Sequence, residues 1–256
     1  SVPEGYDKEG NYRLQIDRLG ALKVTYLGGA PKREGFGPVC GRRPSGMWLG
    51  SELEQSACSE HDTDEAEVGA YLADCARLEA AAVMAFELMA SELQAHGAPA
   101  SFVERCWLAA EDERRHTRAM TEAARRYGVA PSLPAPLTRG LHSLLDLARE
   151  NTVEGCVRET WGALSAGLQA RTAQDPQLAA MYASIAPDEL AHAQLSWYIH
   201  GWLVQETGAS RHLRELAEVA RAELLAEQDD SHSSVAHLAG APDRATACRL
   251  IRELAA

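Results

Sequence analysis

Asp112-Glu113-Arg114-Arg115-His116 returns 76 residues later as Asp188-Glu189-Leu190-Ala191-His192. With 37 acidic residues and 9 histidines in the chain, shuffling yields roughly 0.04 matches to such a D-E-x-x-H string, so two copies form a specific pattern. Glu and His three residues apart on a helix project from the same face, where one offers a carboxylate oxygen and the other an imidazole nitrogen to a single metal ion. Two such helices can hold two ions.

The surroundings of both copies read as helix. Ala, Leu, Glu and Arg, all strong helix formers, dominate from about Glu65 onward. Apolar residues recur at helical spacing from Glu65 to Gln94, and His96-Gly97-Ala98-Pro99 stops that first helix. Ser101 with Glu104 reads as a capping box for a second helix, which runs to about Tyr127 and ends at Gly128. A third is expected from about His142 to Thr172. Asp175-Pro176 then supplies an N-cap and a proline at the first helical position for a fourth, ending near Gly208. The Pro-rich link between the second and third helices, roughly 14 residues at about 3.3 Å each, reaches about 45 Å and can span a helix lengthwise. Pro187 removes one backbone hydrogen bond two residues before Glu189, and either kinks the fourth helix or marks a fresh start.

A pair of metal ions needs further anionic oxygens, and bundle geometry asks for one Glu from each of the other two helices. Glu79 stands 34 residues before Glu113, and Glu154 stands 35 before Glu189, so each hairpin is expected to level its lone Glu with its E-x-x-H. Glu79 lies in the apolar run Leu78–Phe86, where an unpaired carboxylate would cost several kcal/mol. Glu87, eight residues on, would sit about 12 Å along the axis, and Glu159 is expected to point away from the site. Asp112 and Asp188, each a turn from the histidine of its own motif, are candidates to accept that ring's second N–H. Glu150 and Tyr182 are further candidates for the surroundings of the metals, while His200 reads as structural. Cys75 and Cys106 lie on ligand faces at opposite sides of the metal plane and should remain unbonded.

With one Glu, E-x-x-H, one Glu and E-x-x-H in order, residues 66–206 resemble the di-iron carboxylate proteins of the ferritin-like superfamily. Cys40-Gly41-Arg42-Arg43 and Glu154-Gly155-Cys156 are similar to pieces of uncharacterised bacterial ferritin-like proteins. The resemblance implies an all-α fold, a ferritin-like four-helix bundle with a long middle crossover. It also implies Glu79, Glu113, His116, Glu154, Glu189 and His192 as ligands of two iron ions, for which manganese can substitute. Residues 1–64 read as an irregular or β-hairpin appendage, 65–208 as the di-metal bundle and 209–256 as an extension of two further helices.

The formal charge of −12 argues against nucleic acid and anionic lipid. No apolar run approaches the length of a membrane span, so a soluble chain is expected. Six cysteines at no CxxC spacing suggest mostly buried thiols, with Cys40 and Cys58 the pair open to a crosslink. No secretory leader is read. The cytoplasm is the expected compartment, although a chain that starts at Ser1 is also compatible with a removed leader. The function expected is a non-haem di-iron oxidoreductase or oxygenase that uses O2 or a peroxide on an unknown small organic substrate, with a homodimer entertained as the assembly. Iron handling as a ferroxidase and a dimanganese catalase are the alternatives.

Overall fold

The computed structural model describes residues 5–6, 12–16, 22–26, 42–44, 64–135, 139–228 and 233–254. By its internal contacts the chain divides into two units, Ser1–Glu34 and Gly35–Ala256, so Arg42 and Arg43 fall in the second unit, ahead of the bundle boundary expected at Glu65. In the first unit, β1 (Gly5–Tyr6), β2 (Tyr12–Ile16) and β3 (Leu22–Tyr26) form an antiparallel sheet in the order β1-β2-β3, with Tyr12 opposite Tyr26 and Ile16 opposite Leu22. The two alternating stretches Tyr12–Ile16 and Leu22–Tyr26 are its longer strands. Cys40 and Cys58 lie outside the described residues.

The described residues of the second unit are helical apart from their connections. Helix α1 (Asp64–Ala95) opens with Asp64, Glu65 and Glu67 at the positive end of its dipole. It closes where Gly97 takes a positive φ of 74° and the Ala98 N–H reaches back to Leu93. Helix α2 (Ala100–Arg126) follows at once. The expected capping box is not formed: Pro99, with φ −51°, enters the helix directly, no side chain caps it, and Ser101 already lies inside the first turn.

The third helical stretch starts at α3 (Leu144–Glu150), where Ser143 caps by accepting from the Asp146 N–H. It continues as a π-helical segment (Asn151–Glu159) and ends as α4 (Thr160–Thr172). The π segment holds an extra residue per turn relative to an α-helix, and apolar periodicity carries no sign of it. Helix α5 (Pro176–Thr207) has the expected Asp175 cap, accepting from the Gln177 and Leu178 N–H groups. It runs through Pro187 without a break and ends at Gly208 with φ 65°. Beyond it lie α6 (Ser210–Ala226), α7 (Ser233–Leu238) and α8 (Arg244–Arg252). The short α7 adds to the two helices expected here. It docks in two places: Ser234 Oγ donates to Glu67 of α1, and the carbonyls of His237 and Leu238 accept from the Gln174 and Asp175 N–H groups of the α4–α5 turn.

Helices α1 and α2 pack as a hairpin, α4 and α5 as a second, and α2 lies against α5. Besides a cluster that packs Val157 and Trp161 against Leu224 of α6 and Ile251 of α8, two apolar cores lie along the bundle. One joins Leu72, Cys75 and Ala76 of α1 to Met120 and Ala124 of α2, Leu178, Tyr182 and Ile185 of α5, and Val235 of α7. The other joins Phe86, Met89 and Leu93 to Cys106, Ala110, Leu147, Leu195 and Ile199. On each long helix a charged residue interrupts the passage between them: Glu79 on α1, Glu113 and His116 on α2, Glu189 and His192 on α5, all buried. The four helical stretches therefore enclose a polar layer between two apolar ones. No helix among the described residues is long and apolar enough to cross a membrane.

The crossover from α2 to α3 is tied down by charge. The Arg139 guanidinium donates to Glu150 at 2.6 and 3.0 Å and to Glu92 at 3.3 and 3.4 Å, and the His142 N–H donates to Glu92 at 3.1 Å. Glu150 is thus an anchor for the crossover and is not brought to the polar layer. An arginine that follows the Pro-rich stretch satisfies it there.

Candidate metal centre

Two groups of buried donors meet in the polar layer. Glu79, Glu113, His116 and Glu189 form one, and Glu113, Glu159, Glu189 and His192 the other; in each, the donor atoms lie within 4.8 Å of one another. Glu113 and Glu189 belong to both groups. His116 Nδ1 approaches Glu189 at 3.0 Å, Glu113 at 3.4 Å and Glu79 at 3.7 Å. His192 Nδ1 approaches Glu113 at 3.0 Å, Glu159 at 3.8 Å and Glu189 at 4.0 Å. Yet among the described residues both Nδ1 atoms, both oxygens of Glu113, Glu159 and Glu189, and Oε2 of Glu79 lack a partner in hydrogen-bonding geometry. Buried polar atoms are nearly always satisfied, so unsatisfied donor atoms converging on one small volume form a group that could hold a metal ion.

Five of the six ligands expected from the sequence meet here; Glu154 does not. Its oxygen lies 3.7 Å from Arg43 and 4.0 Å from Arg158, and Glu159 takes the place that spacing had given it. The exchange falls within the π segment: Glu159, its last residue, joins the donors of α2 and α5, while Glu154 lies against Arg43 and Arg158. Gly155 permits it: a Cβ there would come within 2.7 Å of Asn151 Oδ1 and 2.9 Å of Ser196, so only glycine lets this segment lie so close to α5. One signal was available. Counted from the turn, Glu159 and Glu189 stand 15 residues either side of Gln174, whereas Glu154 stands five further back, about 7.5 Å of helix out of level.

The outer histidine nitrogens are held across helices. His116 Nε2 lies 3.2 Å from Asp188 Oδ2, and His192 Nε2 lies 3.3 Å from Asp112 Oδ2. Each aspartate therefore serves the histidine of the opposite motif, contrary to the expectation that it serves its own, since packing α2 against α5 brings the two motifs face to face. Arg115 spans both aspartates, donating to Asp112 and, at 3.3 Å, to Asp188. An N–H···carboxylate bond at Nε2 leaves Nδ1 to face the polar layer with its basicity raised. Asp188→Asn keeps the shape and loses the charge, so metal affinity is expected to fall about 10–100-fold with little change in fold; competition against a chelator measures it.

In the absence of cations the surroundings shift most of the layer's groups toward their protonated forms. Burial, with Glu113 and Glu189 nearby, raises the Glu79 carboxyl well above its ordinary range. Burial, with Glu189 and Glu113, does the same to Glu159. Burial alone would push the other way on the imidazoles, but Glu113, Glu189 and Glu79 raise His116, while Asp112, Glu113 and Glu189 raise His192. Burial opposes Glu113 ionisation too, and contacts with the two histidines overcome it and hold that carboxyl far below its ordinary range.

The remaining candidates fall outside the layer. Tyr182 packs in the first core with Tyr71, Leu178 and Ile185. Glu87 pairs with Arg114 at the surface. His200 Nδ1 lies 3.3 Å from Thr152 Oγ1 and its ring meets Trp197 edge-on. Cys75 and Cys106 belong to different cores and are free thiols. Sequence reasoning also passed over Arg42, which is wholly buried, with its guanidinium carbon 5.1 Å from the centre of the Phe86 ring. That ring is itself 5.1 Å from His192. No family of known proteins matches the chain, nor does any curated protein or solved structure.

Proposed function

We propose that this chain is a ferritin-like di-metal carboxylate oxidoreductase, with iron as its first metal and manganese accepted by the same donors. The observation that carries it is the pair of four-donor groups sharing Glu113 and Glu189. Four carboxylates carry the charge of two divalent cations, and two imidazole nitrogens complete a donor set of the kind suited to iron, manganese or zinc. The residues present therefore fit the group.

Glu79 and His116 would hold one ion and Glu159 and His192 the other, with Glu113 and Glu189 common to both. A redox-active pair there supplies the electrons that reduce O2 or a peroxide and the oxidising power passed to an organic substrate. The chain's own part is to keep water out and hold direction. Phe86 lies against His192, the two apolar cores close the layer above and below, and Asp112, Asp188 and Arg115 fix the imidazoles so that Nδ1 faces inward. A fixed donor set in a dry layer strengthens electrostatic control of a charge-changing reaction.

The test is anaerobic loading with Fe(II) followed by O2 or peroxide. Rapid consumption of Fe(II), with a new charge-transfer absorption that Glu189→Ala lacks, is expected. Turnover of a panel of organic compounds separates an oxygenase from a ferroxidase, and iron-loaded protein inert to both oxidants would overturn the reading.

A further inference from the structure

We infer that Arg42 and Arg43 are positioning residues that select Glu159 over Glu154 as the fourth carboxylate of the polar layer, an inference that rests on the proposed metal site. Both residues reach the beginning of the π segment. Arg42 Nη2 donates to Asn151 Oδ1 at 3.1 Å, and Asn151 in turn donates through Nδ2 to the Ser196 carbonyl of α5 at 3.0 Å. Ser196 is bonded back to the His192 carbonyl at 3.0 Å. A chain of contacts thus runs from Arg42 through the first residue of the π segment to the helix that carries His192. Arg43 Nε lies 3.7 Å from Glu154 Oε1, and Arg158, 4.0 Å from the same oxygen, is itself engaged with Glu227 at 2.7 and 2.9 Å.

Glu154 and Glu159 are five residues apart within the π segment and so differ in level along the helix axis, and a single register can bring only one of them opposite Glu189. Which one arrives depends on where the extra residue of the π turns is placed. Arg42 fixes Asn151 against α5 before the first π turn, and Arg43 holds the Glu154 carboxylate away from the layer. Burying the Arg42 guanidinium, whose Nε and Nη1 find no partner among the described residues, is costly. A stacked fork on Phe86 that pins the register is a use for that cost.

The test places Glu154→Ala and Glu159→Ala in two backgrounds, the native chain and Arg42→Gln/Arg43→Gln, and measures Fe(II) or Co(II) bound per chain. In the native background Glu159→Ala is expected to lower affinity at least tenfold and Glu154→Ala to leave it unchanged. Without the arginines the difference should shrink, Glu154→Ala now weakening binding and Glu159→Ala weakening it less. An unchanged ranking overturns the inference, because a merely structural role would lower stability without altering which glutamate matters. Arg43→Gln alone, at the more exposed position, provides the same comparison if the double variant does not fold. If the native chain binds no metal, amide exchange over residues 151–160 of the metal-free protein decides separately: at least tenfold faster exchange in the arginine variants, relative to α1, supports the clamp, and equal exchange refutes it.

Discussion

Glu113→Ala is expected to abolish metal binding and to destabilise the metal-free fold by about 3–5 kcal/mol, the cost of breaking a buried ion pair by removing one partner. Glu113 is fully buried and belongs to both donor groups, so no ion can be held with its full set once it is gone. In the metal-free protein its two oxygens lie 3.4 Å from His116 Nδ1 and 3.0 Å from His192 Nδ1. Both imidazoles are held in the charged form by the carboxylates around them. Removing Glu113 leaves two buried cations short of a counter-charge. Glu79 and Glu159, whose carboxyls favour the protonated form, can ionise in response, which places the effect toward the lower end. Glu113→Gln keeps the volume and separates lost charge from lost packing. Denaturant midpoints without metal, with metal content beside them, measure both parts; a variant that keeps full metal content would contradict the shared role.

The second large effect is an inversion of the pH dependence of stability on metal loading. Without metal, Glu79, Glu159, His116 and His192 all hold protons more tightly in the folded than in the unfolded chain, whose reference values are 4.5 and 6.5. The native state then binds more protons, so stability falls as pH rises, from about 4.5 upward for the carboxyls and from about 6.5 upward for the histidines. Glu113 has the opposite sign: its contribution is present above the ordinary carboxylate range and is lost only on acidification. Each proton retained by the folded state contributes about 1.4 kcal/mol per pH unit. Even if the layer rearranges so that only one of the four protons is retained across the range, a fall of at least about 5–10 °C in Tm from pH 6.5 to 8.5 is expected for the chelator-treated protein. Metal binding must displace about four of these protons, so affinity and the Tm of the loaded protein rise over the same interval. Scanning calorimetry of loaded and chelated protein across that range checks both slopes, and parallel curves would contradict the proton-for-metal exchange.

What the chain revealed in advance was whatever depends on helical periodicity and local capping. Asp175-Pro176, Gly97, Gly128 and Gly208 punctuate helices by rules that act within a few residues, and the structure places them at helix ends as expected. The two D-E-x-x-H strings were legible because their spacing needs only an ordinary α-helix. Three features depended on tertiary arrangement. The π turns at Asn151–Glu159 coincide with the close approach of Gly155 to Ser196, which no propensity encodes. The exchange of aspartate partners follows from α2 facing α5, and each Asp looked suited to its own motif only because the facing helix was out of view. Arg42 lay in a Gly- and Pro-rich stretch with no periodicity, and the Cys40–Arg43 string offered a resemblance but no sign of burial. Its burial beside Phe86 is a property of the fold.

The most direct test of the central claim is the number of metal ions per chain after anaerobic loading with Fe(II), Mn(II) or Co(II), removal of excess metal and elemental analysis. Two ions per chain in the native protein, lost in both Glu113→Ala and Glu189→Ala, are expected. Native protein that retains well under one ion per chain of every metal offered would contradict it.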